Sequence, residues 1–253
     1  MPAGLLDLLY PRRCVACGSD GWPFCRRCRA ELRPFGPPWC ARCGLPADRD
    51  VAGCPECPPP PVDLARAAFL FAGPARSAVH RLKFSGWRTV AQALGSAAAA
   101  AWDAPVDAVT WVPLSRRRLA ERGFDQARAL ARVVARRRGV QLEALLERVA
   151  DTSPQARRGG ADRRTALEGV FRSRGDLPAA RVLLVDDVLT TGATAAACAA
   201  ALRRAGVGWV GVLTVARASS RPAARGSGQA GGGGYTRAGL ARGSVVARGT
   251  FPR

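Results

Sequence analysis

The segment Val182-Leu183-Leu184-Val185-Asp186-Asp187-Val188-Leu189-Thr190-Thr191-Gly192-Ala193-Thr194 constrains the fold more than any other stretch of this chain. Its apolar opening reads as a short buried strand over Arg181–Val185. The acid pair stands at the strand's end, and a Thr/Gly-rich turn leads into a helix over Ala193–Ala205 that Gly206 ends. In an open α/β sheet, ligands gather at the carboxyl ends of strands, where the following helix presents free N–H groups and the positive end of its dipole. Thr190, Thr191, Gly192, Ala193 and Thr194 therefore make a cradle for a phosphate. Gly192 lets the backbone come close, and the hydroxyls and amides donate hydrogen bonds. Asp186 and Asp187 beside that cradle would repel a bare polyphosphate, so they fit a ligand that also brings hydroxyls or a metal. A ribose 5′-phosphate does, with its phosphate in the turn and its 2′- and 3′-hydroxyls donating to the acids.

The surrounding pattern supports an α/β domain over residues 62–217. Leu64–Ala72, Val106–Val112 and Trp209–Ala216 read as strands, and Ala75–Phe84 and Thr89–Trp102 as helices. Phe124–Arg138 reads as a basic helix with an apolar stripe at Leu130, Val133 and Val134, stopped at Gly139. Strands alternating with helices imply a mostly parallel sheet flanked by helices.

Eight of the nine cysteines fall into four Cys-x-x-Cys pairs before residue 60: Cys14/Cys17, Cys25/Cys28, Cys40/Cys43 and Cys54/Cys57. Each such knuckle puts two sulfurs on one side of a tight turn, and two knuckles complete a tetrahedral Zn²⁺ site. Pairing in chain order gives two sites, in the manner of a double zinc ribbon. A cross-braced pairing, a single surviving site, disulfides and an iron–sulfur cluster are the other arrangements such spacing allows. Residues 1–61 hold too few apolar groups for a core of their own, so Trp22, Phe24, Phe35 and Trp39 are expected to pack around the metal. The run Cys57-Pro58-Pro59-Pro60-Pro61 closes the module as a stiff extended spacer. Cys198, in an Ala-rich helix, reads as a small buried hydrophobe, and the single histidine, His80, as structural.

The formal net charge of +20 invites a nucleic-acid partner. Lys83 is the only lysine, however, and an arginine-, alanine- and glycine-rich composition explains most of the charge as solvated faces. Residues 218–253 carry Gly231–Gly234 and no acid, and are expected to be disordered. No uncharged apolar run of membrane-spanning length occurs, which gives the expectation of a soluble, cytoplasmic protein without membrane insertion.

The string Val182–Thr194 resembles the motif by which type I phosphoribosyltransferases bind phosphoribosyl pyrophosphate (PRPP). The cysteine module, His80-Arg81-Leu82-Lys83-Phe84-Ser85-Gly86, Val112-Pro113-Leu114 with its arginine run, and Arg122-Gly123-Phe124-Asp125-Gln126 together resemble the ComF family over residues 5–217. Asp125 stands where that family usually has Asn, as does Ala166, and neither is carried over as a site residue.

The resemblance implies a type I phosphoribosyltransferase-like α/β domain that uses PRPP with Mg²⁺. Ser115 and Arg116, after a strand, would contact the leaving pyrophosphate, Lys83 would reach it, and Asp186 and Asp187 would hold the ribose and stabilise charge on its ring. Thr152–Arg164 is the expected lid over the site. The acceptor is not named by the sequence. A PRPP- or nucleotide-sensing accessory without turnover is the rival to an enzyme, with single-stranded DNA or competence proteins as the partners that resemblance suggests.

Overall fold

The structure is a computed structural model and describes residues 13–84, 88–150, 167, 169–175 and 180–219. All the described residues belong to one compact unit. The expected lid, Thr152–Arg164, and the tail from residue 220 lie outside the described residues.

In chain order the elements are α1 (Arg26–Glu31), β1 (Leu64–Leu70), α2 (Gly73–Phe84), α3 (Arg88–Ala100), β2 (Ala108–Trp111), α4 (Arg116–Arg122), α5 (Gln126–Arg138), β3 (Gln141–Leu142), β4 (Leu146–Arg148), β5 (Phe171–Ser173), β6 (Arg181–Leu189), α6 (Ala193–Arg204) and β7 (Trp209–Arg217). Five strands form one sheet in the order β1-β7-β6-β2-β3, and every neighbouring pair in it is parallel. The chain leaves β2 for β3 through α4 and α5, and leaves β6 for β7 through α6, in opposite directions along the sheet. The carboxyl ends of β2 and β6 therefore flank a topological switch point, where α/β sheets open a ligand crevice.

Two apolar layers fill the faces. On one, Leu183, Val185, Leu213 and Val215 meet Val79 and Leu82 of α2, Leu94 of α3 and Leu130 and Val134 of α5. On the other, Val182, Leu184, Val210 and Val212 meet Cys198, Ala199 and Leu202 of α6 and Leu146 and Phe171 of the antiparallel β4–β5 ribbon. Cys198 is fully buried, as its surroundings in the sequence suggest.

The cysteine module does not build a core of its own. Cys14, Val15, Phe24 and Cys28 join the first layer, while Cys40, Cys43 and Leu45 join the second. Its two lobes thus straddle the edge strand β1. Ala65 N donates to Arg42 O at 2.8 Å, Leu70 N donates to Arg33 O at 3.0 Å, and Phe24 packs edge-on against Phe69 with ring centroids 6.1 Å apart. This covers backbone groups that an open edge would leave unpaired. The proline run is no free spacer either: Pro58 O accepts from Arg42 Nη2 at 3.1 Å, and the Pro60–Pro61 peptide is cis.

Two local expectations change. The strand predicted to stop at Val185 continues to Leu189, because β7 pairs with it beyond the acids (Asp186 with Thr214, Val188 with Ala216) and ladder hydrogen bonds outweigh the broken apolar pattern. The arginine run Arg116–Arg118 that follows β2 opens α4. Ser115 accepts from Arg118 N at 3.3 Å, Arg117 pairs with Glu121 at 2.8 Å one turn on, and Gly123 ends the helix at φ 72°. Finally, α5 starts at Gln126 and not at Phe124, since Asp125 is its cap and accepts from Arg128 N at 3.0 Å.

Candidate functional site

Alternation along β6 decides where the acid pair points. Leu183 and Val185 face the α2/α3/α5 layer, so Asp187 follows them to that side, and Asp186 follows Val182 and Leu184 to the α6 side. Asp187 is buried. Its Oδ2 lies 2.9 Å from Lys83 Nζ, at the end of α2, and 3.5 Å from Gln126 Nε2, the first residue of α5. Asp186 accepts from the Asp187 backbone N–H at 2.8 Å. Burial pushes the Asp186 carboxyl well above the usual carboxylate range, and the neighbouring Asp187 charge adds to that, against the opposing pull of the Asp187 amide and Lys83. The two acids are therefore unlike in charge environment: Asp187 has a cation on it, and Asp186 is driven toward its neutral form. The two carboxylates point to opposite faces of the sheet and not to one side.

Leu189 hands over to Thr190 and Thr191, both exposed, and to Gly192 and Ala193, both buried. Gly192 caps α6 at φ 79° with no side-chain hydrogen bond, and Ala193 N donates to Thr191 Oγ1 at 3.4 Å. The close approach that Gly192 permits is, in the described residues, to protein: a Cβ there would stand 2.7 Å from Pro58 Cβ. Thr194 is partly buried in the first turn of α6.

Across the switch point, Val112–Ser115 leave β2. The Ser115 hydroxyl caps α4, and Arg116 is exposed at the first position of that helix. The structure thus brings Lys83 and Asp187 together and holds Thr190–Thr194 one step further along β6, with Ser115 and Arg116 on the opposite loop.

Two polar residues of this region escape the sequence reading. Gln126 is 4% exposed, and its Oε1 has no hydrogen-bond partner among the described residues. It lies four, seven and eight positions before Leu130, Val133 and Val134, so a polar residue on the helix's buried stripe was the available signal. Asp125, set aside by the resemblance, has its carboxyl raised by burial, with the Arg128 amide as the largest opposing contact.

The eight paired cysteines form two clusters, Cys14/Cys17/Cys25/Cys28 and Cys40/Cys43/Cys54/Cys57, with the sulfurs of each within 4.8 Å of one another. None of the nine cysteines is in a disulfide, and the grouping of the sulfurs in chain order is not the cross-braced one. The separations of 3.6 Å (Cys17–Cys25), 3.5 Å (Cys40–Cys57), 3.4 Å (Cys43–Cys54) and 3.8 Å (Cys54–Cys57) match the edge of about 3.8 Å of a tetrahedron with Zn–S bonds of about 2.3 Å. Hydrogen bonds from Ser19 bring the Cys17 thiol down to about 6. Beside the second cluster, Arg217 is 1% exposed, with Nε and Nη1 unpartnered among the described residues. Burial pushes the Cys43 thiol up and the Arg217 charge draws it down. A buried guanidinium with idle N–H groups fits a metal–thiolate cluster of net negative charge, so the donor set and its neighbour both suit zinc.

Fold and site define a doubly wound α/β protein with a topological switch point between β2 and β6 and two Cys₄ clusters built onto its edge. The double zinc ribbon domain family matches residues 5–58. DNA utilization protein YhgH of Salmonella typhi is 30% identical over 225 residues, covering 83% of this chain and 99% of the relative. Competence protein F of Haemophilus influenzae is 30% identical over 226 residues, covering 81% and 97%. The chain belongs to the ComF family, that of YhgH and competence protein F. Among solved structures, the glutamine PRPP amidotransferase of B. subtilis, complexed with ADP and GMP, matches 53% of this chain at 22% identity with a TM-score of 0.39, and the chain spans 30% of that enzyme's length. No helix of the described residues is long and apolar enough to cross a membrane.

Proposed function

We propose that the protein binds PRPP with Mg²⁺ at the crevice between β2 and β6 and transfers its phosphoribosyl group to an acceptor, releasing pyrophosphate, in the handling of DNA taken up during competence. The observation that carries this reading is the placement of the two loops on either side of the switch point, with an acid pair beneath one of them. Thr190, Thr191 and Thr194, with the N–H groups of the first turn of α6, take the 5′-phosphate. Asp187 and Asp186 take the ribose hydroxyls from the two sides, Asp187 as acceptor and Asp186, when neutral, also as donor. Lys83 spends one N–H on Asp187 and has two more for the pyrophosphate, which Ser115 and Arg116 meet from the opposite loop. Mg²⁺ would be held by the phosphate oxygens of PRPP, with Lys83, Ser115 and Arg116 around them, and would supply charge neutralisation of the leaving group. The names of YhgH and competence protein F supply the DNA context, and the acceptor is unassigned.

Titration calorimetry with PRPP and Mg²⁺ tests the site. Binding is expected for the parent and none for Asp186→Asn/Asp187→Asn, and unchanged affinity in the double variant overturns the ribose assignment. Pyrophosphate release with bases, nucleosides and single-stranded DNA then separates turnover from sensing.

A further inference from the structure

The second metal lobe touches the phosphate loop at both of the loop's ends. At its far end, Gly192 lies against the two prolines that follow Cys57. A Cβ on Gly192 would meet Pro58 Cβ at 2.7 Å, Pro58 Cα at 2.9 Å and Pro59 Cδ at 3.1 Å. Those prolines are themselves fixed, because Arg42 Nη2 donates to Pro58 O at 3.1 Å and to Val62 O at 3.0 Å. Arg42 is the residue inside the Cys40-x-x-Cys43 knuckle. At the loop's near end, Leu189 pairs with Arg217 of β7 and its carbonyl accepts from Ala218 N at 2.9 Å. Arg217 Nη2 donates to the carbonyl of Glu56, and Ser219 Oγ donates to Glu56 Oε1 at 3.2 Å. Glu56 is the residue inside the Cys54-x-x-Cys57 knuckle. Both knuckles of one cluster therefore hold the loop Thr190–Gly192. The first cluster lies elsewhere, against the end of α2, where Gly18 faces the Arg81 guanidinium.

We infer that Pro58 is a positioning residue for the phosphate loop, and that the second Cys₄ centre, unlike the first, sets the loop's affinity for a 5′-phosphate. This rests on the reading of Thr190–Thr194 as a phosphate site. A loop of exposed threonines around a glycine at positive φ loses conformational freedom when it closes on an anion. A wall of proline, itself tied to a metal-fixed turn, removes much of that loss before the ligand arrives. When the second cluster is opened, Arg42 and Glu56 are released with it and the wall goes.

The test uses the full zinc-loaded chain and three variants. Pro58→Gly removes the Cβ that faces Gly192 and frees the backbone, Cys43→Ser opens the second cluster, and Cys17→Ser opens the first. Ribose 5-phosphate and Mg²⁺-pyrophosphate are titrated against each, and amide hydrogen exchange is read at residues 190–196 without ligand. Pro58→Gly and Cys43→Ser are expected to weaken ribose 5-phosphate binding by roughly 10-fold, about the cost of ordering one more backbone residue on binding, and to speed exchange at the loop. Pyrophosphate binding stays within about twofold for Pro58→Gly, because its groups are on the other loop and on Lys83, a selectivity that general loosening would not give. Pro58→Ala, which keeps the Cβ, recovers most of the affinity, and Cys17→Ser leaves the loop's exchange unchanged. Equal effects of Cys17→Ser and Cys43→Ser, or parent-like ribose 5-phosphate binding by Pro58→Gly, overturn the inference. If the parent binds no sugar phosphate at all, the functional reading fails instead, and the exchange rates still decide whether the second cluster holds the loop.

Discussion

Lys83 Nζ stands 2.9 Å from Asp187 Oδ2, and the two side chains are 25% and 8% exposed. The only lysine of the chain is thus committed to the more buried acid of β6, and Gln126 approaches the same oxygen from α5. Three elements, α2, α5 and β6, are pinned together beside the switch point by one carboxylate.

Lys83→Met is expected to destabilise the protein by about 2–3 kcal/mol, somewhat less than the ~3–5 kcal/mol of a fully enclosed pair, because it leaves a buried carboxylate without its cation. Asp187→Asn costs less, since the lysine can extend to water. Urea unfolding of both single variants and the double variant gives the coupling, which should be positive and at least about 1 kcal/mol. Additive single effects would show that the pair carries no stability.

Asp186 gives a pH signature of opposite sense. Its folded-state carboxyl is raised above the unfolded one by burial first and the Asp187 charge second. Such a group contributes stability in its protonated form, and that contribution is lost as pH rises through the raised value. At neutral pH and above, Asp186→Asn removes the unfavourable carboxylate, so its Tm should exceed the parent's by about 2–4 °C, the shift that ~1 kcal/mol produces at this chain size. The gap should shrink as pH is lowered toward the usual carboxylate range. A constant gap between pH 5.5 and 8.5, with zinc in the buffer, would contradict the assignment.

The order of strands and helices was legible because apolar runs and their punctuation by Gly and Pro are local signals. The cysteine pairing in chain order was legible from spacing, whereas Lys83, expected to reach a pyrophosphate, is found on Asp187 at the end of α2. What sequence could not show was tertiary. Strand β6 runs through Asp186 and Asp187 because β7 lies beside it, and only that extension reveals that the two carboxylates face opposite layers. Gln126 hid in a helix start placed two residues early. The module's aromatics were expected around metal, yet Phe24 packs on Phe69 of β1, because a lobe without a core borrows that of its neighbour. Gly192 was assigned to a phosphate, and the contact visible at its Cα is Pro58.

Helices α3 and α5 approach closely because Gly95 leaves room for Val133. A Cβ on Gly95 would lie 2.8 Å from Val133 Cβ and 3.2 Å from Leu130 O. Gly95→Ala is therefore expected to cost about 1–3 kcal/mol despite the better helix propensity of alanine. Adding Val133→Ala should recover part of that loss in thermal unfolding. A stabilised Gly95→Ala would mean that the helices can separate without cost.

Arg217 separates the two Cys₄ centres chemically. A tetrathiolate zinc centre carries net charge −2, and the second has beside it a fully buried guanidinium with two nitrogens unpartnered among the described residues. Without that anion the burial of an arginine would be strongly unfavourable, so each stabilises the other. The parent should carry two zinc ions per chain by elemental analysis. Arg217→Met should keep both at high zinc but release one roughly 10- to 100-fold more readily to a chromogenic chelator, with the Cys14/Cys17/Cys25/Cys28 ion unaffected. Assigning the released ion by combining Arg217→Met with Cys17→Ser, which leaves only the second centre, makes the result specific: the remaining zinc should then be the labile one, and a tightly held ion in that double variant would break the link between the guanidinium and the thiolates.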